Sequence, residues 1–168
     1  SVIAFRYDPQ DKILTNNTEE VKGRLAGYLA DKKEIDPRHF VATPSINTEE
    51  ARLMFDRKRD TFWNSEVPYA TSQSVDIDLK SQREIAQLRV DSYNNKDQNE
   101  VGYEVSTSQD GKDWKDVFYA KRYPPGDDGY VDLFFEPQMA RFIRISQIGF
   151  HQYATWMIHE LQLYEAID

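Results

Sequence analysis

The 168-residue chain contains no cysteine. Disulfides and thiolate metal sites are therefore excluded, and packing alone must hold the core. A chain of this length can manage that, because it buries roughly two-thirds of its extended surface on folding. Cations are in the minority, with 21 Lys and Arg against 29 Asp and Glu, for a formal net charge of -8. The cationic surplus that wraps nucleic acid or clings to an anionic bilayer is missing. No apolar run approaches the ~20 residues that a membrane-spanning helix needs. No secretion-signal pattern opens the chain, from which nothing about export follows. Catalytic signatures are equally scarce. His39, His151 and His159 lie in separate segments, and no HExxH, Gly-x-Ser-x-Gly or phosphate loop is present. Asp76 with Asp78 and Asp127 with Asp128 are adjacent carboxylates, but the first pair falls on the polar side of an alternating segment and the second in a Pro-Gly turn. Both read as solvation, and the chain reads as non-catalytic.

Aromatic residues are plentiful, at 13 % of the chain, and flat rings suit pleated sheet. From Val75 onward apolar residues recur with a period of two. The segments 75–79, 86–93, 101–108, 130–136, 141–148 and 157–164 each alternate in this way. The turn QDGKD at 109–113 and the loop YPPGDDG at 123–129 separate them. Short strands without intervening helices predict an antiparallel sandwich or jelly roll. Residues 17–33 predict the one helix, with Val21, Leu25, Tyr28 and Leu29 on an apolar face and Gly23 and Gly27 weakening it. We therefore divide the chain into an N-terminal extension, or the tail of an upstream module, at 1–40 and a sandwich domain at 41–168.

Four motifs in order carry a resemblance. YEVSTSQDGKDW at 103–114, ARFIRI at 140–145 and IHELQLY at 158–164 follow an opening loop in which Asp56, Thr61 and Trp63 are spaced as Asp-x-x-x-x-Thr-x-Trp. Together they resemble the discoidin family, also called the coagulation-factor type C domain, which includes discoidin-like carbohydrate-binding modules of bacterial enzymes. The resemblance covers about residues 40 to 166. It implies an all-β, eight-stranded, antiparallel jelly-roll β-sandwich of the galactose-binding-like kind, preceded here by the short, partly helical extension.

The resemblance also implies a structural Ca²⁺ in the opening loop. Asp56, Thr61 and Glu160 would hold it, with carbonyls near Leu53 and Lys58. The family's Gly after the Asp is Arg57 in this chain, and positive φ is costly for such a residue. In the competing reading Arg57, Lys58 and Arg59 replace the ion by pairing with Asp56, Asp60 or Glu160. Trp63 and Trp114 are expected as core rings. For a ligand, the loops at one end of the sandwich offer Tyr69, Tyr93, Asn94, Arg122, Tyr123, Phe150, His151 and Tyr153. Family members that bind galactose-type sugars use a His, an Arg, an Asn and a ring from such loops. The expected function is a non-catalytic carbohydrate-binding module of a larger secreted or surface-attached bacterial protein. Its partners would be a glycan, of galactose type or related, and adjoining domains, with no nucleic acid and no membrane insertion. An extracellular, periplasmic or cell-surface location follows. The alternative is a protein-docking or adhesion module without sugar binding.

Overall fold

Two long alternating segments organise the molecule. In the computed structural model, which describes residues 18–70 and 73–167, helix α1 (Thr18–Leu29) precedes nine strands. These are β1 (Lys32–Glu34), β2 (Val41–Pro44), β3 (Trp63–Pro68), β4 (Ser74–Asp91), β5 (Gly102–Ser108), β6 (Trp114–Ala120), β7 (Tyr130–Ile148), β8 (Thr155–Ile158) and β9 (Glu160–Ala166). Segments 75–79 and 86–93 are one continuous strand, β4, and 130–136 and 141–148 are likewise one, β7. The expected strand 157–164 is instead broken at His159 into β8 and β9.

β4 and β7 pair antiparallel from Ser74 opposite Ser146 to Asp91 opposite Tyr130, with register shifts between Asp78 and Arg83 and between Ile85 and Gln87. Such irregularities bend a strand, and here they let each long strand serve both layers. Their halves around Asp76 and Arg144 lie beside β2 on one side and β5 and β6 on the other. Their halves around Leu88 and Leu133 lie beside β9 and then β1. A separate antiparallel pair, β3 with β8, covers one end. The architecture is the antiparallel β-sandwich the alternation predicts, with nine strands rather than eight.

Every second residue of the bent strands faces inward. Ile77, Ile143 and Ile145 from one layer meet Leu88, Leu133 and Leu163 from the other, all fully buried or nearly so. Trp63 and Trp156 close this core, meeting edge to face at 5.4 Å with neither ring exposed. Trp114 departs from expectation. It lies half-buried on the outer face, with the Arg144 guanidinium 4.4 Å from its ring centre. Its strand, β6, is the layer's last, and the motif's Trp falls on the outward side of the alternation.

Helix α1 forms as the sequence predicts, but its apolar stripe meets the sheet only in part: Tyr28 packs edge to face on Phe134 at 5.3 Å, Leu25 is 43 % and Leu29 67 % exposed, and Arg24 is buried. Gly23 and Gly27 make the approach. A Cβ on Gly27 would stand 2.8 Å from the Phe135 nitrogen, 2.9 Å from the Ala86 oxygen and closer still to the Phe135 oxygen. Arg24 reaches across to donate to the Tyr119 carbonyl at 2.8 Å, with its guanidinium 4.3 Å from the Phe118 ring centre. The glycines that weaken the helix in isolation are the residues that seat it. Among the described residues no helix is long and apolar enough to cross a membrane.

Gly27→Ala should destabilise the domain by about 1–3 kcal/mol through overpacking. Gly23→Ala, whose added carbon would meet the Glu136 Cβ at 3.4 Å and its nitrogen at 3.6 Å, ordinary contacts, should be neutral or stabilising by up to ~1 kcal/mol. Urea unfolding of the two variants checks this, and equal responses would refute the seating.

Candidate functional site

The segments joining the two layers are stitched into one rim. Tyr69 N–H donates to the Ala154 carbonyl and His151 N–H to the Tyr69 carbonyl, so the loop after β3 holds the loop after β7. Ser92 N–H donates to Gly129 O and Tyr123 N–H to Val101 O, joining the two loops that cross between layers. The Gln98 amide bonds Thr155 O at 2.9 Å and accepts from Met157 N–H. The rim has two neighbourhoods.

The first is built on β3, the end of β7 and the segment before β5. Phe150 and Tyr153 are 76 % and 78 % exposed, the two most exposed large apolar side chains of the described residues. Between them His151 is locked: its Nδ1 accepts from Tyr153 N–H at 3.1 Å and Ala154 N–H at 2.7 Å. A neutral imidazole so held carries its proton on Nε2 and can donate there. The ring lies 5.6 Å from that of Tyr69. Tyr69 itself is buried, with a hydroxyl that has no hydrogen-bond partner. Burial, with the charges of Glu100 and Asp97, pushes its pKa up. Arg122 pairs with Glu100 at 3.1 Å, both exposed. Tyr123 is buried against Phe118. Phe150, His151, Tyr153 and Arg122 are thus accessible, while Tyr69 and Tyr123 lie beneath the surface. Glu100 was not foreseen, and only its neighbourhood in space marks it.

Tyr93 and Asn94 belong to the second neighbourhood. Both take positive φ, 49° and 60°. Tyr93 N–H donates to Asp91, and its ring lies beside His159 at 5.5 Å and Arg59 at 5.2 Å. Arg59 grips Asp91 through two nitrogens at 2.5 and 2.8 Å and also donates to the Asp128 carbonyl. His159 donates from Nδ1 to the Arg59 carbonyl at 2.6 Å. Sequence alone could not supply these long-range partners.

The opening loop sits here too. Arg57 adopts φ 64°, so the backbone turn of the family's Gly is kept despite the side chain. That side chain leaves the loop to pair with Glu34 at 2.5 Å. The two arginines therefore pair with Glu34 and Asp91, not with Asp56, Asp60 or Glu160, while the Lys58 charge acts on Asp56. Asp56 accepts from Thr61 Oγ1 at 2.5 Å and from Lys58 N–H at 3.0 Å. Burial opposes the Asp56 charge, but these two donors, with the hydrogen bond to Glu160 and the Lys58 charge, together outweigh it and bring its pKa down. Burial and the neighbouring Asp56 push Glu160 up to about 8. Glu160 Oε1 is buried without a hydrogen-bond partner. Two carboxylates, a threonine hydroxyl and a nearby Lys58 carbonyl form an oxygen set with an orphaned acceptor, which fits a hard cation. Among the described residues no group of three or more His, Cys, Asp or Glu is placed to hold a metal ion, so carbonyls and water would have to complete any shell.

Asp76 and Asp78 do not form an acidic pair. Arg144 holds Asp76 at 2.7 and 3.2 Å, and Arg141 holds Asp78 at 2.9 and 3.1 Å.

The model of the F5/8 type C domain family matches residues 41–161. The chain belongs to that family. Among solved structures, the family 32 carbohydrate-binding module of Clostridium perfringens NanJ, in complex with galactose, is similar at a TM-score of 0.65 and 17 % identity. That match covers 80 % of this chain and 100 % of that one. The CpGH89CBM32-5 module of the same organism, in complex with GalNAc-β-1,3-galactose, matches at 0.63 and 18 % identity over 78 % and 99 %. A chitosan-binding module from a Paenibacillus chitosanase/glucanase matches at 0.57 and 21 % over 74 % and 92 %. No curated protein matches the chain. At these identities the likeness is one of fold.

Arg141, hydrogen-bonded to Asp78, holds its carboxyl well below the usual carboxylate range against a smaller effect of burial. The folded-state pKa lies below the unfolded value of about 3.9, so this stabilisation is present above roughly pH 4 and is lost as pH falls through the depressed value. Asp78→Asn removes it. The stability difference between wild type and variant should be larger at about pH 6 than at about pH 2.5 in urea unfolding.

Proposed function

We propose that this F5/8 type C domain is a non-catalytic carbohydrate-binding module of a larger secreted or surface-attached bacterial protein. Its glycan site is the rim around His151. The observation that carries the reading is the pair of exposed rings, Phe150 and Tyr153, flanking an imidazole whose Nδ1 is occupied by backbone donors. Exposed rings present flat apolar surface to the C–H face of a pyranose. Nε2 of His151 and the Arg122–Glu100 pair supply donors and acceptors for hydroxyls. The fold neighbours solved with galactose and with GalNAc-β-1,3-galactose support a galactose-type sugar. A shallow site of this sort binds at the order of mM to μM and gains strength from multivalency. Affinity electrophoresis in gels containing galactan should retard the wild type, and Phe150→Ala with Tyr153→Ala should clearly reduce that retardation. Unretarded wild type across a broad glycan panel overturns this reading.

Ca²⁺ is the ion of the opening loop in this proposal, held by Asp56, Glu160, Thr61 and the Lys58 carbonyl. When bound it supplies charge that balances the two carboxylates. The residues themselves fasten the loop to the start of β9. At about one hundred times Kd, binding adds about 2.7 kcal/mol, a rise in Tm of roughly 5–10 °C for a domain of this size. Addition of Ca²⁺ after EDTA treatment should show that rise in a thermal melt, and Glu160→Gln should abolish it. An unchanged melt removes the ion from the account. Docking to another protein is the second reading, favoured by the exposed Leu25, Tyr28 and Leu29 of α1.

A further inference from the structure

We propose that the outer face of the β2–β4–β7–β5–β6 layer is a second glycan-binding surface, distinct from the rim. It rests on the reading of the domain as a glycan binder but not on the rim site. Strand register sets two parallel rows across this face. One row runs Val41, Asp78, Phe142, Ser108 and Trp114, and the next Thr43, Asp76, Arg144, Ser106 and Asp116. Five strands at about 4.8 Å spacing make each row about 19 Å long. A groove of ≈ 390 Å³ lies along them, lined by Thr43, Asp76, Asp78, Trp114, Phe142 and Arg144.

The chemistry of the lining selects the ligand. Every charge named in the groove has an opposite partner: Asp76 with Arg144 at 2.7 Å, and Asp78 with Arg141 at 2.9 Å and Lys80 at 3.4 Å. A polyanion such as nucleic acid would find no surplus of cations here, and a basic peptide no surplus of carboxylate. β4, β7 and β5 are paired on both sides, so the face offers no unpaired backbone to which an extended peptide could add itself. What it does offer is a row in which Val41, Phe142 and Trp114 alternate with Asp78 and Ser108, beside a row of fixed polar groups. Each Arg uses two N–H groups on its Asp and retains three more donors, and each carboxylate retains lone pairs. The Asp clamps hold the guanidinium groups over one side of the Trp114 and Phe142 rings, at 4.4 and 4.9 Å from the ring centres, which limits the entropy lost on binding. An uncharged polysaccharide chain, with C–H faces alternating with hydroxyl edges, matches both rows. Gly111 helps to keep the groove open. At its φ of 81° a side chain would be strained, and an added Cβ would touch the Phe142 ring at 3.4 Å.

The three indoles give a direct readout. Trp63 and Trp156 are fully buried, so of the three Trp in the chain Trp114 is the one open to a quencher. Acrylamide quenching of the wild type is measured with soluble β-1,4-galactan and with mixed-linkage β-glucan. At least one should lower the quenching constant twofold or more. The variant carrying Phe150→Ala and Tyr153→Ala should show the same protection. Thr43→Arg, on the exposed and short β2, fills the groove without removing a core contact and should abolish the protection by sugar. Quenching unchanged by both polysaccharides overturns the proposal. So does protection that appears without sugar as protein concentration rises, which marks the face as a contact between copies. Retardation in galactan gels that depends on Phe150 and Tyr153, with Trp114 quenching unmoved, leaves the rim standing and removes the face. Protection of Trp114 with retardation indifferent to Phe150 and Tyr153 does the reverse.

Discussion

The antiparallel ladder between β4 and β7 is the constraint on which the other features depend. It runs from Ser74 opposite Ser146 to Asp91 opposite Tyr130 and is irregular between Asp78 and Arg83. Because both strands bend together, one ladder supplies the middle of each layer. The inward residues of both halves then meet across a single core. Loss of alternation at one position would turn the following side chains to the wrong face. The shifts in register therefore act as part of the fold rather than as flaws in it. Loops before β4, after β4, before β7 and after β7 all leave from the ends of this ladder, which is why they gather at one rim.

Charge in the opening loop serves a similar architectural purpose. Arg57 and Arg59 do not cancel their nearest acidic neighbours but reach Glu34 on β1 and Asp91 at the end of β4. Buried on one side and bidentate, the Arg59–Asp91 pair is the kind of charge-assisted contact that fixes geometry as well as contributing energy. It also sets Tyr93 and Tyr130 around one guanidinium, at 5.2 and 4.5 Å. Asp56 and Glu160 are thereby left as hydrogen-bonded neighbours with neither arginine paired to them.

Sequence periodicity made the sandwich legible, since Val75, Ile77 and Leu79 or Val101, Tyr103 and Val105 can hardly be buried in any other way. It did not reveal that two pairs of segments are single bent strands, because a bend is invisible to a period of two. The stripe Leu25, Tyr28 and Leu29 did not reveal which side of α1 meets the sheet, where Arg24 and Gly27 are the buried residues and Tyr28, of the three, touches a β7 ring. Close approach between backbones favoured Gly27 over a larger apolar side chain, and proximity of that sort is a tertiary fact. At the rim, residue types foretold Phe150, His151, Tyr153 and Arg122 as accessible groups. Tyr69 and Tyr123, equally suited by type, lie under the surface, because loop residues point inward or outward according to hydrogen bonds made with other loops. The outer-face rows depend on register among five strands, and no local pattern encodes register.

The way α1 is seated has a consequence for life at high local concentration. Among the described residues the larger sheet has four margins. Three are closed by β1, β2 and β6, of three, four and seven residues, and the first two are too short to template another chain. Along β6, Arg24 already occupies the Tyr119 carbonyl. The fourth margin is the first half of β7, and there Gly27 brings the helix directly against the backbone of Phe135. Short, capped or covered margins deny neighbouring molecules a ladder to extend. Copies crowded together on a polymer would thus resist swapping strands or forming fibres.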